Sequence, residues 1–143
     1  MTDQQARAPR GWLGAGTAYV AIVFLIAFVL GAVRVMLVAP RLGPTVAVLL
    51  ETPLILTVSW LASAWCVRTF RVPPAAVPRL AMGGTALVLL MLLELGVSIL
   101  IFSRPLSGYL ADFRSLAGAI GLAAQVAFAF VPLLQIRRSG AGR

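Results

Sequence analysis

Four polar side chains interrupt the long apolar runs of this sequence: Arg34, Glu51, Glu94 and Gln125. Arg34 and Glu51 stand on either side of the turn Pro40-Arg-Leu-Gly-Pro44. If one helix ends near Ala39 and the next begins near Pro44, the two charges lie roughly 7 and 10 Å from the turn, at about 1.5 Å of rise per residue. Antiparallel neighbours then bring them to one level. An unpaired charge in hydrocarbon costs at least about 2.5 to 3.5 kcal/mol, so the spacing predicts an ion pair pinning a transmembrane hairpin.

Glu94 and Gln125 sit deeper in two later apolar runs, roughly 13 to 15 Å from the outer ends of their helices by the same rise. All four side chains are therefore expected in one slab of the membrane. Two chemistries suit such a cluster. One is interhelical hydrogen-bond glue, commonly worth less than about 2 kcal/mol per contact. The other begins with Glu94: a second carboxylate beside a single arginine leaves excess negative charge unless it takes up a proton, the condition for a proton carrier. Arg41, in the turn, suits contact with an anion or lipid head group, or simple solvation.

Other site chemistries lack their parts. The sequence has no histidine, so no base accompanies Ser98, Ser115 or any other hydroxyl. The single cysteine, Cys66, excludes an intramolecular disulfide and, without histidine, a transition-metal set. No glycine-rich phosphate loop or dinucleotide fingerprint is present. No catalytic residue, metal or cofactor is expected.

The elements that position these residues follow from composition. Of 143 residues, 61% are hydrophobic and only 11% charged, against roughly 25% charged in soluble domains. Several apolar runs approach the roughly 20 residues needed to cross a bilayer, leaving too little polar sequence for a separate soluble domain. The expected fold is an all-α membrane protein: a single integral membrane domain over residues 1–143, built as a four-transmembrane-helix bundle with helices at about 17–39, 45–67, 80–103 and 115–136. Residues 1–10 read as a short polar tail.

Local signals refine this layout. Gly43-Pro44 starts the second helix, because proline at the first helical position lacks an N–H that would be unpaired there anyway. Pro53 should bend that helix beside Glu51. The segment Val72-Pro-Pro-Ala-Ala-Val-Pro78, bracketed by Arg68, Arg71 and Arg79, reads as a stiff linker. Leu106, Tyr109, Leu110 and Phe113 fall on one helical face of a segment too short to span, predicting an interfacial turn. Ser115, Ala119, Ala123 and Ala127, four apart, predict close helix packing. Trp12, Tyr19, Trp60 and Trp65 read as anchors at the membrane interfaces.

The basic balance comes entirely from arginine, with a net charge of +8. Arg7, Arg10, Arg68, Arg71, Arg79, Arg137, Arg138 and Arg143 fall on one side of the membrane, and Arg41, Arg104 and Arg114 on the other. This bias predicts both termini in the cytoplasm. These arginines are topological, and nucleic acid is not expected as a partner.

The block Arg34-Val-Met-Leu-Val-Ala-Pro-Arg-Leu-Gly43, followed by Leu-Leu-Glu51-Thr-Pro53, resembles a group of small four-helix bacterial inner-membrane proteins of unassigned function. That resemblance implies a bacterial inner-membrane location and supplies no mechanism. Small multidrug resistance transporters are similar in size but place their membrane glutamate in the first helix, where this chain has Arg34. Fluoride channels are similar in helix number and in an early arginine, but this chain has no asparagine.

Three functional expectations follow. The first is a non-enzymatic accessory or scaffold protein whose partners are the lipid bilayer and a second membrane protein or further copies of itself. The second is a small proton- or cation-coupled transporter or channel using Glu94. The third is a membrane enzyme acting on a lipid.

Overall fold

A computed structural model describes the chain over residues 4–136, with side chains from residue 11 onward. The residues 1–3 of the expected tail, and Arg137, Arg138 and Arg143, lie outside the described residues. Among the described residues the architecture is all-α, and four stretches are long and apolar enough to cross a membrane: Gly11–Leu42, Pro44–Thr69, Ala76–Ile101 and Leu116–Leu134. The first comprises most of α1 (Gln4–Val33), a π-helical segment Arg34–Val38 and the short α2 (Ala39–Leu42). The second is α3 (Pro44–Thr69). The third joins α4 (Ala76–Gly96) to a second π-helical segment, Val97–Ile101. After α5 (Leu106–Asp112), α6 (Leu116–Leu134) is the last.

Turn chemistry sets the boundaries. Gly43 takes φ 83°, a conformation that a side chain disfavours, and Pro44 opens α3 directly after it. Ser115 caps α6 by accepting a hydrogen bond from the Gly118 N–H at 2.9 Å. Two boundaries differ from the sequence reading. Helix α1 already runs from Gln4, through most of the expected tail. The proline-rich linker shortens because α4 begins at Ala76 and takes Pro78 into its first turn, where no N–H is required of it.

Helix α1 packs on α3 and α4, and α6 packs on the same two, so α1 faces α6 across one diagonal and α3 faces α4 across the other. Sequential spans α3 and α4 are thus not neighbours. Their connection crosses the end of the bundle, where Val72 is buried and Phe70 packs on the core. We call this the linker end and the opposite one the α5 end.

The core lies toward the linker end. Ala15, Tyr19, Val20 and Val23 of α1 meet Ala62 and Cys66 of α3, Met82 and Ala86 of α4, and Phe128 of α6, with Leu90 near mid-span. Helices in lipid gain little from apolar burial against one another, so close contact and hydrogen bonds must hold them. Both concentrate here. Gly83 meets the Ala129 backbone so tightly that a Cβ would collide with its carbonyl, and a Cβ on Gly16 would come within 2.8 Å of the Met82 oxygen. Ser63 Oγ donates to Gln135 Oε1 at 2.9 Å, and Gln135 Nε2 donates to the Trp60 carbonyl at 2.8 Å.

Two assignments change with this core. Tyr19, expected near the membrane interface, is fully buried in the core. The small-residue stripe of α6 does not provide the close helix contact, since Ala119 and Ala123 are exposed. That role belongs to Gly83 and Gly16.

Candidate functional site

The polar residues singled out in the sequence form two pairs, each joining two neighbouring spans. Arg34 opens the π-helical segment after α1, and its Nε lies 2.5 Å from Glu51 Oε2 on α3. Arg34 Nε has no aligned hydrogen-bond acceptor among the described residues, so charge attraction carries the contact. Both side chains are partly buried, 31% and 17% exposed, on a face that lipid would cover. The two charges flanking the Pro40–Pro44 turn thus meet across the hairpin.

Glu94 and Gln125 make the second pair. Gln125 Nε2 on α6 donates to both Glu94 oxygens on α4, at 2.8 and 2.7 Å. Both pairs lie toward the α5 end of the bundle. Arg34 takes Glu51 as its direct partner, leaving an amide as the close donor to Glu94 from a neighbouring span.

Two further residues complete this site. Ser98, one turn beyond Glu94 and inside the Val97–Ile101 π-helical segment, is buried, and its Oγ has no partner among the described residues. Gln125 Oε1 is likewise buried without one. A widened turn displaces side chains from the regular helical register, and such segments recur at functional sites. Both π-helical segments among the described residues contain a polar residue of the cluster, Arg34 in one and Ser98 in the other. Tyr109, from α5, lies beside both Glu94 and Met91; its hydroxyl is 3.9 Å from Met91 Sδ. Burial, then the Glu94 charge, pushes the Tyr109 phenol above its ordinary value, which keeps it a proton donor.

Tyr109, expected on a surface turn, instead approaches Glu94. The helical face Leu106, Tyr109, Leu110, Phe113 does form, but Leu106 and Leu110 are exposed while Tyr109 turns inward, its ring edge-on to Phe113 at 5.2 Å. The signal available in the sequence was the i, i+4 spacing of Glu94 and Ser98, which puts two polar groups on one helical face. An Arg104–Asp112 ion pair, at 2.7 Å, ties α5 to the chain leaving the third span.

Arg41 is exposed, and its Nη1 donates to the Leu37 carbonyl at 3.1 Å. Two surface hollows, one at Leu56, Thr57, Trp60 and Leu61 and the other along Phe28 to Leu37, include none of Arg34, Glu51, Glu94 and Gln125. No protein-family model, curated protein or solved structure matches this chain.

Proposed function

We propose that this chain is a non-enzymatic accessory or scaffold protein of a bacterial inner membrane, with both termini in the cytoplasm. The location draws on the resemblance of the Arg34–Pro53 block, and the orientation on the arginine bias toward the linker end. The observation that carries the functional reading is the closure of the polar residues on one another: Arg34 on Glu51, Glu94 on Gln125. Each contact joins the two spans of a hairpin, as structural glue would. The partner is a second membrane protein or a further copy, docking on a lipid-facing surface such as that around Ala119 and Ala123 of α6. A photo-crosslinking residue at position 123 in intact membranes should give one defined protein adduct. Adducts to lipid alone would overturn the scaffold reading.

A second reading, proton- or cation-coupled transport through Glu94, has one specific observation in its favour. The Gln125 Oε1 and Ser98 Oγ atoms of its neighbourhood are buried without a partner among the described residues. Ion flux in proteoliposomes that is lost in Glu94→Gln, with the fold intact, would establish it. Flux undiminished in that variant would remove Glu94 from the pathway.

A further inference from the structure

We propose that Glu94 is a proton-binding site within the membrane layer, where one bound proton joins its carboxyl to the Gln125 carboxamide as a reciprocal two-hydrogen-bond pair. The inference deepens the transport reading and rests on it for the role of the site, but proton binding can be measured without flux.

The geometry is unbalanced as it stands. One amide nitrogen serves both carboxylate oxygens, at 2.8 and 2.7 Å, while Gln125 Oε1, the acceptor on the same group, has no donor. A carboxylate can only accept hydrogen bonds, whereas a carboxylic acid both donates and accepts, as a carboxamide does. With a proton on Glu94, its O–H donates to Gln125 Oε1 and Gln125 Nε2–H donates to the second Glu94 oxygen. This needs only rotation of the two planar groups. The single proton removes a charge from the apolar layer and supplies the missing donor to a buried oxygen.

The groups bordering the pair from α5 and from the third span itself are uncharged hydroxyls. From α5, Tyr109 holds its hydroxyl 3.9 Å from Met91 Sδ, and Ser98 adds a buried hydroxyl one turn along from Glu94, without a partner among the described residues. From the α1 side the charged group is Arg34, with Glu51 of α3 held against it. Proton release leaves a carboxylate whose two oxygens Gln125 Nε2 still reaches, at 2.8 and 2.7 Å. Release also dissolves the reciprocal pair between α4 and α6.

The test is modification by the membrane-soluble reagent dicyclohexylcarbodiimide, which reacts with protonated carboxyls, followed by mass spectrometry of the intact protein and its peptides. Near neutral pH, wild-type protein should carry the adduct on Glu94 and not on Glu51, and the adduct should be lost as pH rises. Infrared spectra should show a protonated-carboxyl band that shifts in deuterated water and is absent from Glu94→Gln. An unmodified Glu94 across the pH range in folded protein, or equal modification of Glu51, would overturn the proposal. Protection of Glu94 by sodium or potassium at constant pH would replace the proton with a metal cation. Modification of Glu94 in a protein that shows no flux would uphold the site while rejecting transport.

Discussion

Tyr19 and Phe128 join α1 to α6 across the diagonal of the bundle, their rings stacked at 4.3 Å and the Tyr19 hydroxyl donating to the Phe128 carbonyl at 2.9 Å. The reason lies four residues on. Phe128 would normally bond to the N–H of residue 132, but Pro132 has none. Tyr19 supplies the donor that the helix lacks. Tyr19→Phe keeps the stack and strands the carbonyl, so it should cost about 1 to 3 kcal/mol. Tyr19→Ala, which also empties the core, should cost about 3 to 5 kcal/mol. Thermal unfolding in detergent measures both, and an unchanged midpoint for Tyr19→Phe would mean that the hydroxyl contributes nothing.

Gly83 and Gly84 make a matched pair. A methyl group on Gly83 collides with the Ala129 carbonyl, whereas one on Gly84 meets nothing within 4 Å. Gly83→Ala should force α4 and α6 apart and destabilise the protein by about 1 to 3 kcal/mol or more. Gly84→Ala should be neutral or stabilise by up to about 1 kcal/mol, because alanine favours the helix. Equal melting temperatures for the two variants would contradict this packing.

Removing either member of the Arg34–Glu51 pair strands the other charge in the apolar layer. Arg34→Ala and Glu51→Ala should each lower stability, by about 3 to 5 kcal/mol on the scale of buried pairs in soluble proteins. The double variant should lose less than the sum. Strict additivity in a double-mutant cycle would argue against their contact.

Arg79 is buried and holds the linker to the end of α6, with Nε on the Pro73 carbonyl at 3.1 Å and Nη1 on the Pro132 carbonyl at 3.3 Å. A cation also suits the carbonyl-rich C-terminus of a helix. Arg79→Ala should free the linker and speed trypsin cleavage after the exposed Arg71. Arg79→Lys, a point charge without the guanidinium fork, should fall between the two. Cleavage at the wild-type rate in Arg79→Ala would show that the linker is held by Val72 packing alone.

Some relationships were legible because they depend only on distance along the chain. Span lengths, the Gly43-Pro44 turn and the equal depth of Arg34 and Glu51 all follow from helical rise and local turn chemistry, and the hairpin brings its two spans together.

The remaining arrangement depends on how each helix is rotated and which neighbours it takes, and only the tertiary structure decides that. In a soluble bundle an apolar stripe marks the inward face. Here lipid is as apolar as the core, so the spans are apolar all round and their sequence marks no inward side. Tyr19 therefore reads as an interface anchor until α6 is seen beside it with Pro132 withholding a donor. The outward turn of Ala119 and Ala123, the pairing of Glu94 with Gln125 and the approach of Tyr109 are hidden for the same reason. Sequence by itself determined how many spans there are and where along each span its polar group stands; the packing of one helix against another decided which groups meet.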